Sequence, residues 1–229
     1  MSQYGEHLIH RSVNQWPDHR FKAFAGKGVI IIGKARFDHI FGGFLAGIVL
    51  GTILAAATSV SRWADLLLSP AIKVVRATPV ASFIILVLLW VESGRVPGIM
   101  SALMVLPVVW GNVSAGIAKT DPLLLEAASF YRFGAGKKLR LLYIPSVLPY
   151  FFSGCSTALG LAWKSGVAAE VLCLPSLAVG TKLYYAKIYL ETPSLFAWTA
   201  VVILLSYLLE RAFLALCNLL RRNHKEASL

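Results

Sequence analysis

The chain has 229 residues, 57% hydrophobic and 14% charged, with a mean hydropathy of +0.69 and a net charge of +11. That leaves too little polar surface to cover a water-soluble globule of this length, and it fits an all-α polytopic membrane protein. The basic residues lie in short segments beside apolar runs, where positive charge holds loops in the cytoplasm. No basic groove interleaved with aromatics is visible, so nucleic acid is not an expected partner.

In chain order, residues 1–36 read as a basic amino-terminal arm, with Arg11, Arg20, Lys22, Lys27, Lys34 and Arg36 against Glu6 and Asp18. It lacks the continuous apolar core of a secretory signal peptide, and Val29 to Ile32 is too short to cross a bilayer. A membrane domain is expected over 37–220. Its first span runs from about Phe37 to Ser59, with Gly42, Gly43, Gly47 and Gly51 at helical spacing for close helix packing. Residues 59–76 carry Arg62, Lys73 and Arg76 against Asp65 and read as a cytoplasmic loop. A short second span, Thr78 to Trp90, starts at Pro79. A third, Pro97 to Ala118, holds Pro107 and is expected to bend there.

Residues 119–145 hold five basic residues against two acidic and belong in the cytoplasm. Asp121-Pro122 has the chemistry of a helix start, since Asp caps free amides and Pro suits the first turn. One short helix over Leu123 to Arg132, a bend at Gly134 and Gly136, and a second helix over Lys137 to Tyr143 are predicted. Pro145 and Pro149 then open a fourth span ending near Ala169. The segment 175–194, with Tyr184, Tyr185 and Tyr189, reads as an external helix at the lipid headgroups. A fifth span covers about Leu195 to Leu220, and 221–229 form a cytoplasmic tail. Five spans with the C-terminus inside leave the basic N-terminus outside, against the positive-inside rule.

The run Glu126-Ala127-Ala128, followed at the right interval by Ile144-Pro145, resembles the EAA coupling loop of binding-protein-dependent ABC importer permeases. Arg76-Ala77-Thr78-Pro79, Pro107, Ala162-Trp163, Ala169-Glu170 and Gly180 follow in the order seen in the nitrate, sulfonate and taurine branch. The family's glycine six residues after the acidic residue is replaced here by Arg132, with Gly134 two places later. The resemblance implies a type I importer permease fold with cytoplasmic coupling helices in a prokaryotic cell membrane. It implies four partners: a separate ABC ATPase subunit that carries ATP, an external substrate-binding protein, a second permease copy, and lipid. Glu126, Ala127, Ala128, Arg132, Gly134 and Pro145 would then couple to the ATPase. Two explanations of the N-terminal charge stay open: the arm lies amphipathically on a membrane surface, or a first helix is missing relative to six-span relatives. No phosphate-cradling Gly-rich loop is present, so no cofactor is expected on this chain.

Ions in hydrocarbon are expensive and are usually kept for a pathway. Lys164 is therefore a candidate for an anion pathway, with Trp163 and Trp110 as walls and Glu170 nearer the outer end of the span; Asn112 either lines the same pathway or bonds a neighbouring helix. Equally open is that Lys164 and Glu170 compensate each other or snorkel. An intramembrane enzyme would want paired catalytic groups, but His7, His10, His19, His39 and His224 lie near the termini or at the start of the first span. A structural scaffold leaves Glu126-Ala127-Ala128 unexplained. Cys155, Cys173 and Cys217 lack metal-ligand spacing and read as buried reduced thiols.

Overall fold

In lipid the backbone must satisfy its own polar groups, and this chain does so with helices: no strand occurs among the described residues. The computed structural model describes residues 29–176 and 178–226. Most of the basic arm expected over 1–36 lies outside them, as does the end of the tail. The helices are α1 (Val29–Val60), α2 (Arg62–Ala77), α3 (Val80–Leu88), α4 (Val96–Ala118), α5 (Pro122–Phe130), α6 (Ala135–Lys138), α7 (Ile144–Cys173), α8 (Val179–Ile188) and α9 (Thr192–Glu226). A π-helical turn, Leu139–Tyr143, joins α6 to α7.

Among the described residues, four stretches are long and apolar enough to cross a membrane: Asp38–Val60, Val96–Ala118, Ala135–Cys173 and Thr192–Ala215. The pair α2 and α3, bent by 103° at its break, makes a fifth if counted as one span. This is the polytopic all-α architecture expected, with one correction. Of residues 59–76, read as a loop from their charges, the first two end α1 and those from Arg62 on form α2. The Ser61 hydroxyl accepts from the Ala64 amide at its start, and Asp65 and Arg76 sit at the ends that suit their charges. At its far end the Thr78 amide and hydroxyl both donate to the Val74 carbonyl (3.0 and 2.8 Å), one residue before Pro79, where a helix could not continue. At nine residues, α3 is about 14 Å long, roughly half the hydrocarbon thickness.

The core forms where α4 packs between α1 and α7. Phe44, Ala55, Val105, Val109, Ala158 and Leu159 are buried there. Lipid chains are as apolar as these side chains, so close packing and interhelical hydrogen bonds bind the helices together. The α1 glycines supply the close approach. A Cβ at Gly47 would stand 2.7 Å from the Val105 Cβ, one at Gly51 2.8 Å from the Leu106 carbonyl oxygen, and one at Gly43 would overlap the Gly98 carbonyl. Gly42 departs from the stripe, with nothing within 4 Å of its Cβ position. Two side chains of α4 tie it to α1: the Ser101 hydroxyl donates to the Ile40 carbonyl at 2.8 Å, and Trp110 Nε1 donates to Thr58 Oγ1 at 3.1 Å.

Candidate functional site

Two regions hold the residues singled out from the sequence, and the first is the helical hairpin between α4 and α7. Asp121 starts it as expected: its carboxylate accepts from the Leu123 amide at 2.9 Å, with Pro122 in the first turn. The end of α5 differs from the expectation. The reversal comes at Arg132, whose φ of 53° is left-handed, while Gly134 has φ −63° and no glycine among the described residues has positive φ. The hydrogen bonds give the reason. The Phe133 amide donates to the Ala128 carbonyl (2.8 Å) and the Arg132 amide to the Ser129 carbonyl (3.0 Å). This crossed pair is a Schellman closure, which requires a left-handed residue where Arg132 stands. Arg132 thus bears the strain of a side chain in left-handed backbone.

That closure also separates Ala127 from Ala128. Ala127 is exposed, whereas Ala128 is buried and its carbonyl takes the returning amide. Glu126 is exposed. Lys138 Nζ reaches back to Ser129 Oγ at 2.9 Å, pinning the second limb to the first, and Lys137 lies 4.7 Å from the centre of the Phe133 ring. Gly134 begins α6 in extended conformation. From Ala135 the chain is continuous to Cys173, 39 residues or about 58 Å, twice what hydrocarbon can contain, so its first part stands outside the bilayer. Pro145 lies where hairpin becomes span. Its ring offers no amide and crowds the preceding turn, and the helix adapts with a wider turn in which the Ile144 amide donates to the Leu139 carbonyl.

The hairpin carries a feature that the motif reading missed. Leu123, Leu124, Phe130 and Tyr131 are 71, 51, 83 and 71% exposed, on a segment that is not part of a span. Apolar side chains gathered on a polar, charged knob mark a binding surface. The signal was in the sequence, as three leucines after Pro122 and the Phe130-Tyr131 pair.

The second region is a concave face between α4, α7 and α9. Asn112 lines a cavity of about 490 Å³ together with Arg76, Pro107, Gly111, Thr157 and Leu161. Its amide donates to the Val108 carbonyl at 2.9 Å, and its side chain packs where a Cβ on Gly154 would fall. Thr157 and Leu161 also line a neighbouring cavity of about 310 Å³ with Ser156, Gly160, Lys164, Ser206 and Glu210. The structure thus brings Asn112 and Lys164 to adjoining cavities and adds Arg76 and Glu210. Arg76 falls in the segment read as a loop, and Glu210 falls in the expected fifth span, where it is a second ion at membrane depth beside Lys164.

The other expected pathway residues point elsewhere. Trp163, one position from Lys164 and so about 100° around α7, is buried with Ile40 and Val167 against Val202 and Leu205 of α9. Trp110 turns to Thr58 of α1. Glu170 is 2% exposed, and its carboxylate accepts from the Gly180 amide at 3.0 Å, at the N-terminus of α8 where negative charge is favoured. Gly180 permits that approach, since its Cβ would stand 2.5 Å from the Glu170 Cβ. Glu170 is therefore held by α8, away from the Lys164 cavity. On α8, Tyr184, Tyr185 and Tyr189 form consecutive ring contacts at 6.0 and 6.2 Å.

Comparison with known proteins points one way. The profile of a family described as binding-protein-dependent transport system inner membrane component matches residues 47–221. A Bacillus subtilis (strain 168) protein named for aliphatic sulfonates transport is 30% identical over 68% of this chain and 56% of its own length. The taurine transport system permease protein of Escherichia coli (strain K12) is 26% identical over 84% of this chain and 70% of its own. The chain thus spans a little over half to about seven-tenths of these relatives. Among solved structures, a chain from an amino acid ABC transporter crystallised with histidines superposes with a TM-score of 0.72, over 91% of this chain and 100% of its own. At 17% identity, that likeness establishes the fold alone.

Proposed function

The chain belongs to the family of binding-protein-dependent transport system inner membrane components, and on that premise we propose that it forms the membrane pathway of an ABC importer. In this reading the hairpin from Pro122 to Tyr143 is the coupling element, docking in a cleft of a separate ATPase subunit that binds ATP. Glu126 and Arg132 supply polar contacts at its tip, and Gly134 and Pro145 shape the limb that transmits movement into α7. A second copy completes the pathway, since the cavities at Asn112 and Lys164 open on the surface of a single chain and charge there is costly against lipid. An external binding protein delivers the substrate at the α8 side, in the cell membrane of a prokaryote. The substrate is a small anion of the sulfonate, nitrate or taurine kind, with Lys164 supplying positive potential. Transport does not require catalytic chemistry on this chain.

The observation that carries the proposal is the hairpin: a rigid, hydrogen-bonded projection outside the spans, with Leu123, Leu124, Phe130 and Tyr131 uncovered around Glu126. Co-purification with an ABC ATPase tests it. Leu124→Asp and Phe130→Asp are expected to release the ATPase while leaving the chain in the membrane fraction. Sulfonate uptake by proteoliposomes that lack any ATPase, or labelling of the hairpin from the external side, would overturn it.

A further inference from the structure

Within a bilayer a charged side chain needs an opposite charge, water or a ligand beside it. α7 and α9 bring one of each sign to a single cavity, Lys164 and Glu210, together with the hydroxyls of Ser156, Thr157 and Ser206. Both positions fall within stretches suited to span the membrane. Neither forms an ion pair or hydrogen bond among the described residues. Both are exposed on this chain, and two flexible side chains that served only to neutralise each other would close the gap, because an unpaired charge facing hydrocarbon is expensive. Here they stand around an open volume of about 310 Å³, the space of roughly ten waters. Gly160 keeps the space clear, with nothing within 4 Å of its Cβ position.

We infer that this cavity recognises a small zwitterion, a molecule carrying both a cationic amine and an acidic oxyanion. The Glu210 carboxylate accepts hydrogen bonds from the ammonium end and the Lys164 ammonium donates to the oxyanion. The three hydroxyls complete the contacts. A plain anion satisfies Lys164 and is repelled by Glu210, so the pair selects against it. The inference rests on the importer reading and narrows its substrate from an anion to an anion that also bears a positive group.

The test uses the permease and its ATPase together in lipid nanodiscs without the external binding protein, so that the selectivity read is that of the permease. Taurine and β-alanine are titrated against ethanesulfonate and propionate, which lack only the amine. Saturable binding of at least one zwitterion in preference to its partner anion is expected. Glu210→Gln should weaken zwitterion binding by roughly ten- to a hundredfold, because the acceptor facing the ammonium loses its negative charge, and leave the plain anions unchanged or tighter. Lys164→Gln should weaken both kinds. No saturable binding by either zwitterion, equal affinity within each pair, or a Glu210→Gln and Lys164→Gln double variant that binds like the parent would each overturn the zwitterion site. Those outcomes leave ATPase association intact; a chain that fails to associate with the ATPase overturns the importer reading instead.

Discussion

Replacing Arg132 by glycine should tighten the hairpin, although the substitution removes every contact the side chain makes. A residue with a Cβ held at φ 53° bears a strain of about 1–2 kcal/mol relative to glycine. Glycine gives back about 0.4–1 kcal/mol through the greater freedom of the open chain. The net gain is about 0.5–1 kcal/mol, equivalent to a roughly two- to fivefold slowing of local opening. Hydrogen exchange of the Arg132 and Phe133 amides, which close the hairpin on Ser129 and Ala128, reads this directly in the purified full chain. Arg132→Asn, which brings in a side chain that tolerates left-handed backbone, should fall between the glycine variant and the parent, and the β-branched Arg132→Val should open faster than either. Gly134→Ala provides the opposing control. With φ −63° and open space at its Cβ, alanine there should be neutral or slow exchange slightly. If Arg132→Gly speeds exchange while Gly134→Ala also does so, the bend is at the glycine and the Schellman assignment is wrong.

Other consequences concern the packing. Gly51→Leu should destabilise the fold by about 1–3 kcal/mol or more, because its Cβ meets the α4 backbone, whereas Gly42→Leu should stay within about 0.5 kcal/mol; thermal unfolding in detergent compares them. A double-mutant cycle of Thr58→Val and Trp110→Phe should return a coupling of about 0.5–1.5 kcal/mol for their shared hydrogen bond, and a value near zero would show that Trp110 has another role. Glu170→Ala should release the start of α8, costing about 1–3 kcal/mol locally and raising amide exchange at Gly180. It should not change which substrates are preferred, and altered preference would return Glu170 to the pathway.

How far the sequence carried this protein differs between hairpin and pathway. Asp121-Pro122 and Pro145 announced the hairpin because caps and prolines act through their own backbone neighbours. The bend is not at Gly134 or Gly136, because glycine tolerates left-handed backbone without requiring it. The crossed hydrogen bonds to Ala128 and Ser129 fall two residues earlier and force Arg132 into that shape. The α2 region was misread because charge alone was weighed, although Ser61 and Asp65 carried the signs of a helix start. For the pathway, depth in a span was legible and direction was not: Lys164 and Trp163 are neighbours in sequence that face different surroundings.

The amino-acid sequence by itself determined the membrane class, the order of the spans, the position of the hairpin and the family, since apolar run length, loop charge and turn chemistry are local properties. Tertiary structure alone decided which charges meet. Glu170 meets the amide of Gly180 because the missing Cβ there lets α8 approach α7, and Lys164 shares its cavity with Glu210 on a face about 100° from the one where Trp163 packs against Val202 and Leu205 of α9. That is a property of two surfaces in contact, which no single stretch of chain contains.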